Sequence, residues 1–336
     1  KFFHAVMSEE KITNFIADCG SKFDIDMTKD EDIARRFNIK NILNDVIYSS
    51  DNKDILETLK LIELLNTHKY ILNNMIMRLE VAIAIEIKYF ALTEFMPTFL
   101  ERPFTLEIVD NVITCENVET GEINKKELKQ KYNIPPIKFT GVIDREDING
   151  KNISIIDYKS SQSDFSLDSL ELGFISQILT YALACELMFD RNSEDILGIF
   201  YREIAKLGKD VKTYRLRGLA NSDLILDDEF YEKAPEIMYV RTTKAKKIHG
   251  ADSHKAFTSP ELEKLVNKNL ENIMILIEKI FAFDFDLANY EVENQYSAEK
   301  GTLFNFASNS DTRLSYKEKV ELKPKDLKEK LLNDLK

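Results

Sequence analysis

Between residues 137 and 159 two apolar, β-branched runs flank the segment "EDINGK", and this reversal constrains the chain more than any other stretch. Asn149-Gly150 is a strong hairpin signal, because a type I′ turn needs positive φ at both central positions. The runs at about 137–145 and 152–159 are therefore expected to be antiparallel neighbours. With Asn149 and Gly150 as the turn, Ile148 pairs with Lys151, Asp144 faces Ile155 and Asp157 faces Val142. Opposed residues share a face and side chains alternate along a strand. Asp144, Asp157 and Lys159 then project from one face, the two aspartates diagonal neighbours roughly 7–8 Å apart. A longer loop with a bulge would move the register by one and separate them.

Two carboxylates placed in this way can converge on one divalent cation. A hard cation such as Mg²⁺ takes oxygen ligands and keeps several waters. A lysine two residues further along the same face can orient or deprotonate an attacking water, which is the apparatus of metal-assisted phosphodiester hydrolysis. Taken alone, an Asp-x-Lys is most often a solvated strand end with an ion pair.

The rest of the chain supplies a frame for that hairpin. Residues 1–95 read as helical, with apolar spacings of three and four and no Pro or Gly over the long stretch before Pro97, which is expected to end it. Residues 99–115 alternate as strands do, and 116–135 read as a loop or short helix. An amphipathic helix is expected over about 168–189, then a strand pair, "ILGIFYREIA" and "VKTYRLRGLA", around a turn at Gly208-Lys209-Asp210. Residues 225–258 read as irregular. A helix follows, with Ser259 as its cap and Pro260 at its first position. The lysine-rich last fifteen residues read as a surface helix or a frayed end.

In this setting the motifs resemble the RecB-type branch of the PD-(D/E)xK nuclease superfamily. They are His4 in "FFHAVM", Asp144 in "GVIDR", Asp157 and Lys159 in "IIDYKSS", and Gln177 with Tyr181 in "QILTY", in that order. Together with "FMPTFLERPF" and "YRLRGL", they are most similar to the C-terminal nuclease domain of the AddB/RexB component of bacterial helicase–nucleases. The resemblance implies an α/β fold with a restriction-endonuclease-like core: a mixed central sheet of four or five strands flanked by helices. A large helical insertion would lie at about 30–95. The nuclease domain would run over 1–290, with a C-terminal extension over 291–336. It implies a metal held by Asp144, Asp157, the backbone carbonyl of Tyr158 and His4, with Mg²⁺ the expected ion and Mn²⁺ an alternative that suits an imidazole better. Lys159 would activate water, and Gln177 and Tyr181, four apart on one helix face, would position substrate or lysine. Glu101, in "FLERPF", is an outside candidate for the site. Many members also hold an iron–sulfur cluster through four cysteines. Here Cys19, Cys115 and Cys185 are all there are, and none follows Cys185, so no cluster is expected.

The formal net charge of −12 argues against a generic DNA-coating protein. One basic stretch, "VRTTKAKKIHGADSHK", stands out, and Arg241, Lys244, Lys246, Lys247 and Lys255 are candidate phosphate contacts. No phosphate-binding Walker A loop occurs, so the expected substrate is a DNA single strand from an end unwound by the AddA/RexA-type helicase–nuclease partner during break repair. A stand-alone RecB-like exonuclease and a non-catalytic scaffold are the alternatives. Scattered cysteines point to a reducing cytoplasm. No apolar run suggests a membrane span, and the opening "KFFHAVMSEE" turns polar too early for a signal peptide. Lysine as first residue reads as a processed product or an excised part of something longer.

Overall fold

The structure is a computed structural model that describes residues 66–159, 164–203, 215–227, 240–284 and 324–334, with short pieces at 290–292 and 314–316 and a few isolated positions. Most of the expected helical insertion, His4, the 208–210 turn and the segment where cluster cysteines would fall lie outside these residues.

Helix α1 spans Asn66–Thr93. Its buried positions include Leu72, Ile76, Leu79, Ile83, Glu86, Ile87 and Phe90, the three-and-four spacing of one helix face. It ends before Pro97. Glu94 adopts the left-handed conformation (φ 60°) and returns its amide to the Phe90 carbonyl at 2.8 Å, as a C-cap does. Pro97 lies inside the next strand, β1, Met96–Val109. The alternating stretch after it is a hairpin to β2, Val112–Glu116. Its turn, Asp110-Asn111, has φ of 50° and 64°, the positive pair that a type I′ reversal demands. Within the segment expected to be a loop or short helix, Ile123–Glu127 forms a third strand, β3, on the outer edge of β2.

Next come β4, Ile137–Asn149, and β5, Asn152–Lys159. The single helix expected at 168–189 is two helices, α2 (Leu167–Glu171) and α3 (Gln177–Met188), separated where Gly173 takes φ 88°. Strands β6 (Ile196–Glu203) and β7 (Arg217–Asn221) are antiparallel neighbours. Short helix α4 (Ser222–Ile225) and a two-residue strand β8 (Ala256–Phe257) lead to α5, Ser259–Phe281. The cap of α5 is Thr258, whose amide donates to Glu261 Oε2 at 2.8 Å. Ser259 is inside the helix and gives its amide to Asp223 Oδ2.

These strands form one mixed sheet of eight, twice the lower expectation, in the order β3-β2-β1-β4-β5-β6-β7-β8. Neighbours are antiparallel except β5–β6 and β7–β8, which are parallel. The β5–β6 crossover carries α2 and α3 onto one face of the sheet, where α3 packs on β1, β2, β3, β5 and β6 and α5 packs on α3. Helix α1 covers the other face: its Tyr89 hydroxyl donates to Ser154 of β5 at 3.1 Å. The last helix, α6 (Pro324–Asp334), is neither frayed nor merely superficial. Leu327 and Leu331, one turn apart, are fully buried in the same core as α3 and α5. A separate two-stranded ribbon pairs β9 (Tyr290–Val292) with β10 (Leu314–Tyr316). Among the described residues no helix is long and apolar enough to cross a membrane. Cys115 and Cys185 are buried free thiols.

Candidate active site

The hairpin that frames the site differs in register from the expected one. Gly150 and Lys151 are its turn residues, and Asn149 pairs with Asn152, Ile148 with Ile153 and Arg145 with Ile156. Gly150 has φ 58° and Lys151 does not turn positive, which is the φ pattern of a type II′ turn with glycine at its first central position. The slide relative to the expected pairing is two residues, so side chains of β5 keep their faces. Asp157 and Lys159 point toward α3, and Tyr158 points toward α1.

Asp144 shares that face: one residue beyond the pairing of Arg145 with Ile156, it lies opposite Asp157, although the β1 side of β4 is irregular there. Arg102 of β1 packs on Phe189 at the end of α3, and its partner in the ladder is Ile143. Arg145, two residues beyond Ile143, should share that face but instead pairs with Glu86 of α1. Alternation is therefore interrupted at the rung holding Glu101 and Asp144, and Glu101 has φ 49°. The β4–β5 ladder also ends here: the Tyr158 amide donates to the Asp144 side chain, Oδ2, at 2.8 Å. The two strands part, and the Asp144 carboxylate lies where they separate. Glu101 falls beside it, exposed at the next strand.

Asp157 is 3% exposed, and Lys159 Nζ stands 2.6 Å from its Oδ2. Lys159 also donates to Gln177 Oε1 at 2.9 Å, and Gln177 Nε2 donates to the Tyr181 hydroxyl at 2.6 Å. Burial pushes the Asp157 carboxyl above its ordinary range, the Lys159 ammonium draws it back, and the Asp144 charge adds to the rise. The Tyr181 phenol is pushed up to about 12 by burial and by Asp157. The Tyr181 ring meets Phe104 edge-on, with centroids 5.9 Å apart. Phe104 in turn lies over Gly141, where a Cβ would sit 2.5 Å from its ring. The glycine of "GVIDR" thus lets Phe104 lie flat against β4 and support Tyr181.

On the reverse face the charge following Asp144 has its own purpose. The buried Arg145 guanidinium contacts Glu86 Oε2 and Asp147 Oδ2, each at 2.8 Å, and bonds the Tyr158 hydroxyl. Arg202 of β6 joins through Glu86 Oε1 at 2.7 Å. Two guanidiniums hold the Glu86 carboxyl below its ordinary value despite burial. Asp147, with Arg145 beside it, is pushed up to about 7 by burial. This network locks β5 from beneath, on both sides of Ile156, and fixes the strand that carries Asp157 and Lys159.

The donor set at the parting of β4 and β5 suits a hard divalent cation. It is all oxygen, and Asp157 carries a buried negative charge whose cost a second cation would relieve. Among the described residues no third carboxylate or imidazole completes a metal cluster with the pair. Asp144, Asp157, Lys159, Gln177 and Tyr181 therefore come together, and the Tyr158 ring turns away toward Arg145. The basic stretch does not act as one patch. Arg241 is bound by Asp252 through Nε at 2.7 Å and its second nitrogen at 3.1 Å, with its amide on the same carboxylate. Lys244, Lys246 and Lys247 lie in an exposed turn. Lys255 points elsewhere, to Asp164 at 3.1 Å. Tyr201 of β6 is a site residue that the sequence did not mark: it is the ladder partner of Asp157, and its ring centroid lies 5.6 Å from Lys159 Nζ.

Residues 46–291 match the PD-(D/E)XK nuclease superfamily. Over 208 residues the chain is 30% identical to the B-type subunit of the ATP-dependent helicase/deoxyribonuclease of Carboxydothermus hydrogenoformans. The match covers 53% of this chain and spans only 18% of the length of that relative.

Proposed function

Because the chain belongs to the PD-(D/E)XK nuclease superfamily, we propose that Asp144, Asp157 and Lys159 are the catalytic centre of a divalent-cation-dependent deoxyribonuclease. The observation that carries this reading is the convergence of a buried carboxylate, a second carboxylate at the parting of two strands and an ammonium 2.6 Å from the first. Asp144 and Asp157 would hold Mg²⁺, with the Tyr158 carbonyl and His4 as further ligands. The cation would supply charge stabilisation at the phosphate and lower the cost of forming hydroxide from water. Lys159, 29% exposed, places a positive charge where the pentavalent phosphate gathers negative charge, and as a donor it orients the attacking water. Gln177 fixes the ammonium and Tyr181 fixes Gln177. Lys244, Lys246 and Lys247 would make weaker, sequence-independent contacts with backbone phosphates, and Arg241 would hold their turn in place.

The helicase/deoxyribonuclease relative supports a narrower reading. The chain would be the nuclease portion of such a protein, cutting a single DNA strand from an end that a partner helicase has opened, in break repair in the cytoplasm. The test is cleavage of labelled single-stranded DNA with Mg²⁺. Lys159→Ala is expected to slow the chemical step by about 10²–10⁴-fold, and Asp157→Ala to remove cleavage. Undiminished cleavage by both variants would sink the assignment. An inactive parent chain, with the partner helicase supplied, would favour a scaffold that keeps the fold without the chemistry.

A further inference from the structure

Beyond the two aspartates, one face of the sheet carries a row of side chains that runs across the strands. Asp157 of β5 is registered with Tyr201 of β6, and Tyr201 with Arg217 of β7. Strands lie about 4.8 Å apart, so Arg217 is about 10 Å from Asp157 along this row. Lys255, just before β8, comes next: its carbonyl accepts the Ala220 amide of β7 at 2.9 Å. Lys255 Nζ and one guanidinium nitrogen of Arg217 approach the same oxygen, Asp164 Oδ2, at 3.1 and 3.9 Å. Lys255 is 17% and Arg217 15% exposed, whereas Asp164 is 35% exposed.

We propose that Arg217 and Lys255 form a second phosphate subsite, which takes a backbone phosphate of a DNA strand lying across the sheet from Asp157 toward β8. The proposal rests on the reading of Asp157 and Lys159 as the catalytic centre and gives the bound strand its path. Two largely covered cations require an anionic oxygen, and in this structure the Asp164 carboxylate provides it. A phosphate oxygen carries the same charge and offers a guanidinium a matching fork of acceptors. Tyr201 stands between the two anion sites, with its phenol pushed up to about 12 by burial and the adjacent carboxylates and therefore neutral. Its ring can meet a sugar or base between consecutive phosphates. Asp164 then acts as a placeholder that substrate displaces, and this separates the subsite from a purely structural ion pair, in which Asp164 would only anchor its segment.

The experiment is anisotropy of a labelled single-stranded oligonucleotide on the full chain with EDTA, across a range of salt. Arg217→Gln and Lys255→Gln are each expected to lower the slope of log K against log salt by about 0.7, the value for one lost phosphate contact on a single strand. Lys138→Gln makes the same charge change at the distant end of β4, where Lys138 faces Glu107, and is expected to leave the slope as it is. Asp164→Asn removes the competing carboxylate and is expected to tighten binding roughly twofold to fivefold, the worth of a partly exposed ion pair. Unchanged slopes in both cation variants, or an Asp164→Asn protein that binds no more tightly than the parent, would overturn the subsite. If Arg217→Gln does not fold, Lys255→Gln and Asp164→Asn still decide. Cleavage with Mg²⁺ is scored separately. Binding shifts accompanied by cleavage that survives Asp157→Ala would refute the catalytic reading alone, and Asp157-dependent cleavage without the binding shifts would refute the subsite alone.

Discussion

Lys159 stands between two acceptors of unequal charge, Asp157 Oδ2 at 2.6 Å and Gln177 Oε1 at 2.9 Å. The amide of Gln177 can satisfy both its neighbours in one orientation only: oxygen toward the ammonium, nitrogen toward the Tyr181 hydroxyl. Gln177→Leu removes both bonds while leaving the Asp157 pair, and a hydrogen bond of this kind is worth about 0.5–1.5 kcal/mol. Single-turnover cleavage should then slow roughly tenfold with DNA affinity unchanged; a loss confined to affinity would show that Gln177 contacts substrate instead. The spacing of Gln177 and Tyr181 made this pair legible, because four residues are one helical turn. Tyr201 and Arg217 were not legible. Their place beside Asp157 depends on the parallel β5–β6 register and then on β6–β7, and no local pattern encodes a partner that arrives after a crossover. For the same reason the arginine of "GVIDR" could be read as part of a motif while its partners, Glu86 on α1 and Arg202 on β6, could not.

Strand β5 is held differently on its two faces, and the buried face titrates. The Asp147 carboxyl, pushed up to about 7 by burial, keeps a proton that the unfolded chain, with an ordinary Asp value of about 3.9, releases. The folded state thus binds more protons between those values, and stability from this group falls as pH rises toward 7. Thermal unfolding of Asp147→Asn against the parent from pH 4 to 8 should show this limb flattened in the variant. Parallel curves would mean that Arg145 keeps Asp147 ionised throughout. The element that the sequence indicated most strongly, the hairpin, was right in kind and displaced in detail. Glycine supplies the single positive φ at Gly150, and Asn149 remains in the strand, so the turn begins one residue later and the pairing slides by two. An even slide preserves faces, which is why Asp157 and Lys159 still project together. Asp144 keeps its face as well, because the pairing of Arg145 with Ile156 sets the next residues, Asp144 and Asp157, opposite one another. What alternation could not anticipate is the irregular rung at Glu101, which breaks the pattern on the β1 side and leaves the Asp144 carboxylate at the parting of the strands.

At the scale of the molecule, eight strands form a platform with α1 on one face and α2, α3, α5 and α6 on the other, and the site lies on the α3 side where the C-terminal end of β5 parts from the middle of β4. The C-terminal helix belongs to this core, although its lysine-rich composition suggested otherwise. Lys328 reaches past the Phe257 ring to the Ala256 carbonyl at 2.6 Å and Glu261 at 3.0 Å, while Leu327 and Leu331 of the same helix are buried. Leu331→Ala should therefore cost about 2–5 kcal/mol in denaturant unfolding; a cost below about 0.5 kcal/mol would return α6 to the surface. The whole arrangement converges on a single claim, that Asp144 and Asp157 share one divalent cation. Its most direct test is titration of Mn²⁺ into the full chain, followed by the paramagnetic resonance of the free ion, with Mg²⁺ as competitor. A Mg²⁺-displaceable site is expected in the parent, lost or severely weakened in both Asp144→Asn and Asp157→Asn and retained in Arg217→Gln. Mn²⁺ bound as tightly by either aspartate variant as by the parent would contradict it.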